Sequence, residues 1–339
     1  MYRYCTVRSG GIPMSQASFM PPRDHTKIPV GISSCLLGEP VRYDRGHKRS
    51  AFITDILAAY FDFRPVCPEV AIGLGVPRPP IRLAGDPERP RAVGVRDPRV
   101  DVTAPLRAYG ERMAGELDYI SGYIFKSKSP SCGLFRVKVY GESGRAPSAT
   151  GRGLYAQAIT EANPLLPVEE EGRLNDPVLR ENFIGRVYAY HRWQTLLAEG
   201  VTAERLVDFH TAHKLILMAH GRQGLREMGR LVAQAGHGNL ERITEAYGAS
   251  FMRTLRHKAT RRRHTDVLFH LLGYLKRTLE SDEKAEAVEL IHDYREGRVP
   301  LIVPVTLLRH HFRKHPEPYV ERQLYLHWQP AGLGLWNAI

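Results

Sequence analysis

The sequence predicts a parallel, doubly wound (Rossmann-like) α/β sheet domain followed by an all-α helical domain. In the first half, short apolar runs that end in small or turn-forming residues alternate with more polar stretches. Strand, helix, strand repeated in this way favours a parallel sheet. After Asn175 long helical periodicities dominate, and proline is rare until Pro300. The 339 residues are enough for two domains with sizeable cores.

The change in pattern divides the chain into four parts. Residues 1–27 mix charged residues and prolines without an apolar stretch, so we expect a flexible N-terminal tail and no signal peptide, with Met14 and Met20 as alternative starts. Residues 28–170 form the predicted α/β domain, residues 171–199 a linker helix and residues 200–330 the helical domain.

The α/β domain is predicted from its apolar runs and from two longer periodic segments. The runs that we interpret as strands cover residues 28–34, 65–70, 123–127, 134–140 and 165–170. Helices are predicted from Ala51 and from Val102, with Thr103 as the candidate N-cap of the second.

The second half is predicted to be helical throughout. The helices expected from the 3.6-residue period cover residues 176–198, 202–219, 222–235, 239–256, 261–279 and 281–295. The last of them opens on Ser281, and acidic residues follow in its first turn, as suits a helix N-terminus.

Composition and charge exclude several classes of protein. No apolar run approaches the roughly 20 residues of a membrane span, and the run at 301–308 is bounded by Pro300 and Arg309, so we expect a cytoplasmic protein with no membrane contact. Four cysteines are too few for a disulfide framework. The formal charge of +12 favours contact with polyanions but equally describes a solvated basic surface.

Three of the cysteines follow three predicted strands. Cys35 comes after IPVGISS, Cys67 lies within PVCPE, and Cys132 lies in KSKSPSCG after YIFKS. The carboxyl ends of parallel strands share one edge of a sheet, where ligands bind. We therefore expect the three side chains to meet at one site, although they are far apart in the sequence.

Converging cysteines in a reducing compartment suit zinc or an iron–sulfur cluster, because soft sulfur ligands select those metals. The alternative is that they are buried residues that fill gaps in the core, since no CxxC pair is present. Glu69, Ser129 and Ser131 lie close to these cysteines in the sequence, and a carboxylate beside a metal can take a proton from water. Glu69 could equally be an ordinary carboxylate at a helix start.

The motifs around these cysteines resemble a known family. SSCLLGEPVRYDRGHKR, CPEVAIGLGVPRPPIRL and KSKSPSCG closely resemble the domain of bacterial 2-thiouracil desulfidases. LVDFHTAHKLILMAHG, ATRRRHTDVLFHLLGYLKR and REGRVPLIVPVTLLRHHFR resemble the YbgA-like helical domain that often follows it. The two resemblances cover roughly residues 28–168 and 200–328.

The resemblance implies a 4Fe-4S cluster held by Cys35, Cys67 and Cys132, with the fourth iron free to bind the sulfur of the substrate. It implies that a glutamate, here Glu69, activates water, and that a serine, here Ser131 or Ser129, holds or protonates the ring. The expected substrate is a small thiolated nucleobase such as 2-thiouracil, converted by hydrolysis without net redox change. Cys5 lies outside every motif and is expected to have no role.

One position departs from the family pattern. Arg45 stands where members of the family commonly have glycine, so a bulky cation is expected close to the pocket, and the substrate preference stays open. A thiolated nucleotide or tRNA base is the alternative substrate. A nucleic-acid-binding protein with a structural or regulatory metal is the alternative of another class.

The helical domain contains two groups of residues with alternative interpretations. His210, His213 and His220 could bind a metal, but such histidines more often make hydrogen bonds at an interface. A basic face could bind the phosphates of tRNA or a nucleotide, or could simply be solvated; it comprises Arg253, Arg256, Lys258, Arg261, Arg262, Arg263, Lys276 and Arg277. Tyr247, Tyr274 and Phe269 could stack on bases or belong to the core.

Overall fold

The computed structural model describes residues 27–141, 147–328 and 330–339. Except for Lys27, the predicted N-terminal tail lies outside the described residues. The described chain divides into two compact units. The first contains the residues up to His191 together with residues 331–339, and the second contains Arg192–Pro330. A single helix, α4, has residues in both.

The first unit is built on two sheets. Its strands are β1 (Ile28–Ser33), β2 (Phe61–Val66), β3 (Ile81–Ala84), β4 (Arg91–Gly94), β5 (Tyr123–Phe125), β6 (Val137–Tyr140), β7 (Pro147–Gly151) and β8 (Val168–Glu170). Its helices are α1 (Pro68–Ala71), α2 (Thr103–Glu116), α3 (Leu154–Ala162) and the first part of α4 (Pro177–Ala198).

The first sheet is entirely parallel and has the strand order β2, β1, β5, β8. From β1 the chain adds β2 on one side and then β5 and β8 on the other, so the order reverses between β1 and β5. Outside the carboxyl ends of the strands, such a switch point forms a crevice where ligands bind. Val30 and Ile32 of β1 are fully buried in a core to which Phe183 and Val187 of α4 belong.

The second sheet is mixed, with the order β4, β3, β6, β7, and only β6 of its strands was predicted. Its strands are short and lie in segments rich in glycine, proline and arginine, where alternation of apolar and polar residues is hard to see. The predicted class, an α/β domain followed by a helical domain, is confirmed, and the second sheet is an addition to it.

Three local predictions in the first unit are wrong. The run at 65–70, predicted as a strand, supplies only the last two residues of β2, and Pro68–Ala71 is helical because Pro68 starts a helical turn there. The segment from Ala51 forms only a short π-helical turn and a 3-10 turn, and strand β2 already begins at Phe61. Thr103 is the first residue of α2 and not its N-cap. Its hydroxyl instead accepts a hydrogen bond from the backbone N–H of Ala92 in β4 (2.9 Å). The group that was expected to cap the helix therefore makes a tertiary contact with a neighbouring strand.

The helices of the second half follow the predicted pattern. They are α5 (Ala203–His220), α6 (Arg222–Gln234), α7 (Leu240–Arg256), α8 (Arg261–Tyr274), α9 (Ser281–Glu296), α10 (Ile302–Lys314) and α11 (Pro318–Glu321). The side chains of Thr202, Asn239 and Thr260 cap α5, α7 and α8. Helix α10, which contains Pro304 in its first turn, was not predicted. Within the described residues no helix is both long and apolar enough to cross a membrane.

Candidate functional site

The three predicted cysteines line one cavity of about 390 Å³ at the carboxyl edge of the parallel sheet. Cys35 lies in a 3-10 turn directly after β1, and Cys67 is the single residue between β2 and α1. Cys132 follows β5 in the turn that leads to β6. Cys35 and Cys132 are buried, Cys67 is half-buried, and all three are free thiols. The sheet topology thus brings together residues that are widely separated in the sequence.

The loop after Cys35 folds back over its own strand end. Gly38, with a φ of 100°, ends the turn in the left-handed region that glycine adopts freely. Hydrogen bonds then return the loop, since Lys48 N–H donates to Cys35 C=O (2.8 Å) and Ser50 N–H donates to Leu36 C=O (3.0 Å). This arrangement places side chains of the polar loop in the wall of the cavity, namely Val41, Arg42, Tyr43 and Lys48.

Burial governs the acidity of the thiols. It raises the pKa of Cys35 to about 11 and also raises the pKa of Cys67 and of Cys132. Negative charge nearby also raises these pKa values. The charge on Cys67 raises the pKa of Cys35, and the charge on Glu69 raises the pKa of Cys132. Because thiolates are the form that binds metal, a bound cation has to displace these protons.

The carboxylate of Glu69 faces the same cavity and is held at both oxygens. Glu69 lies in the first turn of α1, directly after Pro68. The Ser131 hydroxyl donates to its Oε1 at 2.6 Å, while Arg78 donates to its Oε2 from Nε at 2.9 Å and from a terminal nitrogen at 2.8 Å. Its side chain is 14% exposed, so the carboxylate is partly shielded from water.

The two candidate serines occupy different places in this network. Ser131 contacts Glu69, and its Oγ lies 2.9 Å from that of Ser129. Ser129 Oγ accepts hydrogen bonds from the backbone N–H groups of Ser131 (3.3 Å) and Cys132 (3.1 Å). Ser129 therefore shapes the turn, and its hydroxyl proton is available to Ser131, which donates in turn to Glu69.

Arg78 is a site residue that sequence reasoning missed. It follows the cis peptide bond between Val76 and Pro77, and its guanidinium also donates to the backbone carbonyls of Val41 (3.0 Å) and Gly75 (2.8 Å). The signal was present in the motif GVPRPP, where an arginine stands between prolines a few residues after CPE. No spacing rule connects such an arginine to the glutamate.

Arg45 lies in the loop that borders the cavity, but it does not line the cavity itself. It is exposed and is not part of the cavity wall. Its φ is 61°, in the left-handed region that favours glycine. The backbone of the loop therefore favours glycine at this position, and the cations that do reach the cavity are Arg42, Lys48, Arg78, Lys126 and Lys128.

The histidines of the helical unit do not form a metal site. His213 is fully buried and stacks on Phe209, while His210 and His220 make hydrogen bonds to the Tyr247 hydroxyl (3.2 Å) and the His257 carbonyl (2.7 Å). Across residues 27–141, 147–328 and 330–339, no three His, Cys, Asp or Glu side chains are arranged to hold a single metal ion.

The three aromatic residues that are candidates for base stacking differ in their surroundings. Tyr247 is fully buried in the core, Tyr274 stacks on Tyr319, and Phe269 contacts His292 edge-on. A separate cavity of about 750 Å³ in this unit is lined by Arg222, Arg253, Arg262 and Arg263, so that part of the predicted basic face borders a concave surface.

Comparisons with known proteins match two separate parts of the chain to two different families. Residues 30–171 match the family model of 2-thiouracil desulfurase, and residues 214–330 match that of a protein of unknown function, DUF1722. Escherichia coli (strain K12) YbgA is 31% identical over 151 residues, which are 44% of this chain and 89% of YbgA. The solved structure of the 4Fe-4S-dependent thiouracil desulfidase TudS is 33% identical, with 44% of this chain and 95% of that chain covered and a TM-score of 0.36.

Proposed function

We propose a function on the premise that this chain belongs to the 2-thiouracil desulfurase family through residues 30–171 and to the DUF1722 family, with YbgA as a relative, through residues 214–330. Its first domain is thus thiouracil desulfidase-like. The proposed reaction is hydrolysis of the carbon–sulfur bond of a thiolated nucleobase, in which water supplies the oxygen of the carbonyl product and sulfide leaves. A cytoplasmic location, where thiols stay reduced, suits this chemistry.

One observation carries the proposal: three free thiols, a carboxylate and a serine hydroxyl share a single cavity at the switch point of the sheet. A gap-filling role for the cysteines does not explain why polar groups with defined hydrogen bonds converge on the same space. Cys35, Cys67 and Cys132 would therefore act as ligands, with Glu69 and Ser131 as the reacting groups.

The donor set fits an iron–sulfur cluster. Three cysteine thiols line one space at the edge of the sheet, and cysteine thiolates are the ligands that hold iron–sulfur clusters in proteins. When bound through three thiolates, a 4Fe-4S cluster would keep one iron without a protein ligand, and that iron would attract the soft sulfur of a thiocarbonyl and polarise its bond to carbon.

The residues of the chain would move the protons. Glu69 Oε1 would take a proton from the water that attacks the ring carbon, since general bases act within hydrogen-bond reach of their target. The Ser131 hydroxyl, 2.6 Å from the same oxygen, would pass its proton to the ring or the departing sulfur and regain one from Glu69, which holds the proton taken from water. Ser129 would position Ser131, because its hydroxyl oxygen accepts hydrogen bonds from the backbone N–H groups of Ser131 and Cys132 and so holds the turn in place.

The test is direct. After anaerobic reconstitution we expect about four iron and four sulfide per chain with broad absorbance near 400 nm, and release of uracil and sulfide from 2-thiouracil. Glu69→Gln is expected to keep the iron and lose turnover, and Cys5→Ala, the control, to keep both. Full iron without turnover of any thiolated base by the unaltered protein would reject the proposed function.

A thiolated nucleotide or RNA is the second candidate substrate, and the charge of the cavity favours it. Five cationic side chains and one carboxylate, Glu69, lie in its wall, whereas thiouracil is neutral. Arg78 pairs with Glu69 and Lys126 with Glu171, but Lys48 and Lys128 make no ion pair with the described residues. Unpaired lysines at the wall suit a phosphate group.

The helical unit adds a second basic surface. Of the arginines that line its cavity, Arg222 and Arg253 are paired with Asp266 and Glu227, both at 2.9 Å, whereas Arg262 has no partner among the described residues. This surface would contact the phosphates of tRNA or a nucleotide. A lower KM for 4-thiouridine monophosphate than for 2-thiouracil, increased in Lys48→Gln, would support the phosphorylated substrate. Salt-dependent RNA binding without sulfide release would instead support a binding protein.

A further inference from the structure

Arg78 is one of the few buried charged side chains of the first unit, and its contacts converge on Glu69. Its side chain is 4% exposed, and two of its nitrogens donate to the same oxygen of Glu69, Oε2. Its remaining terminal nitrogen, Nη1, donates to the backbone carbonyls of Val41 and Gly75. The guanidinium is thus fixed by two loops, one that follows β1 and one that follows α1, and it can neither rotate nor approach Oε1 without breaking these bonds.

Glu69 needs such a partner because its own element is short. Helix α1 has four residues, Pro68–Ala71, and a glutamate side chain has three rotatable bonds, whose restriction costs about 1.5 to 2 kcal/mol of entropy. The paired contact at Oε2 removes this freedom and leaves Oε1 turned towards Ser131. The two oxygens consequently have different surroundings, one neutralised by an arginine and one bonded to a hydroxyl.

We infer that Arg78 is a positioning residue for the reaction, which fixes the Glu69 carboxylate so that Oε1 alone faces Ser131 and the cavity. This inference rests on the proposed function. The competing explanation is purely structural, since Arg78 also ties together the carbonyls of Val41 and Gly75. The two explanations differ in whether the effect of removing Arg78 depends on Glu69.

Two substitutions separate charge from geometry. Arg78→Met keeps an unbranched apolar stem but removes every donor, whereas Arg78→Lys keeps the charge but cannot make the paired contact. Both would be prepared as the reconstituted full chain, beside Glu69→Gln and the double variant. Arg64→Met is the matched control, because it removes an exposed arginine–carboxylate pair, that with Asp62, from the same unit.

In Arg78→Met we expect a loss of about 100-fold in kcat with 2-thiouracil, as for a misplaced catalytic group, while KM and iron content change less than threefold. Arg78→Lys should recover part of kcat. The double variant with Glu69→Gln should be no slower than Glu69→Gln alone, because both act through one carboxylate. A merely structural role would instead give independent losses that multiply. Arg64→Met should stay within twofold of the unaltered protein.

The inference is overturned if Arg78→Met keeps kcat within threefold, or if the double variant is slower than Glu69→Gln by the full Arg78→Met factor. Should the unaltered protein not desulfurise any thiolated base, the proposed function fails, and crystal structures then decide the geometric part. Loss of the contact between Glu69 Oε1 and Ser131 Oγ in Arg78→Met would uphold the positioning role, and its retention would overturn it.

Discussion

Gly153 packs against the backbone that carries Ser131 and Cys132, so a single methyl group there should disturb the candidate site. A Cβ atom at Gly153 would lie 2.6 Å from both the carbonyl carbon and the oxygen of Ser131 and 2.8 Å from the Gly133 nitrogen. The Gly153 N–H also donates to the Gly133 carbonyl at 2.7 Å. With φ at −65° and ψ at 141°, the backbone of Gly153 is open to any residue. The expected effect of Gly153→Ala is therefore purely steric.

The size of the effect follows from these distances. Ordinary van der Waals contact of a Cβ begins at 3.4 Å, so the turn of Ser131 and Gly133 would have to move by about 0.6 to 0.8 Å. The neighbours are backbone atoms and cannot rotate away. Overpacking of this kind costs about 1 to 3 kcal/mol of unfolding free energy. A displacement approaching 1 Å in a catalytic group can reduce turnover by about 100-fold.

The assay compares Gly153→Ala with Gly115→Ala. Gly115 lies exposed in α2, and a Cβ there meets nothing within 4 Å. Urea unfolding should show a loss of about 1 to 3 kcal/mol for Gly153→Ala and a gain of about 0.5 to 1 kcal/mol for Gly115→Ala. Turnover of 2-thiouracil and iron content should fall only in Gly153→Ala. Unchanged stability and turnover in Gly153→Ala would refute the steric argument.

Three further predictions concern other parts of the chain. Cys35→Ala, Cys67→Ala and Cys132→Ala should each lose the cluster, whereas Cys5→Ala, which lies outside the described residues, should not; full iron in Cys132→Ala would contradict the three-ligand arrangement. Ser131→Ala should reduce kcat with iron retained, and Ser129→Ala should mainly lower the unfolding free energy, because two backbone N–H groups lose their acceptor. Burial lowers the pKa of His264 to about 3 and that of His213 well below its usual value, so the unfolded chain binds protons that the folded chain does not. Their contribution to stability is complete above about pH 6.5 and is lost as pH falls below it, by about 2 kcal/mol per histidine between pH 7 and 5; urea unfolding that is unchanged over this range would contradict it.

The parts of the site that follow strands could be predicted from the sequence. Cys35 lies two residues after the end of β1 and Cys67 directly follows β2, and parallel strands bring their ends to one edge. Burial of Ile32 and Val66 reflects the apolar runs from which the strands were predicted. The same reasoning placed Cys132 at this edge, although six residues separate it from the end of β5. Local pattern and sheet topology together were sufficient here.

Contacts made by side chains across loops could not be predicted in this way. Arg78 reaches Glu69 because its segment turns back to the loop that contains Val41, and no periodicity in the sequence indicates such a turn. The strands β3 and β4 are four residues long and lack a readable alternation, so the second sheet was missed. Thr103 shows the same limit. The capping rule predicted that its hydroxyl caps α2, but the hydroxyl accepts a hydrogen bond from the neighbouring strand β4.

The hydrogen bonds around Ser129 and Ser131 give the two serines distinct roles that their positions in SPSC leave open. A hydroxyl has one proton to donate, and Ser131 gives its proton to Glu69, so the 2.9 Å contact between the serines requires Ser129 to be the donor. Ser129 in turn accepts from two backbone N–H groups, which fixes its oxygen to the turn that carries Cys132. The proton order therefore runs from Ser129 through Ser131 to Glu69, and only Ser131 can exchange a proton with that carboxylate directly. If Ser129→Ala lowered kcat as much as Ser131→Ala while leaving stability unchanged, this order would be wrong.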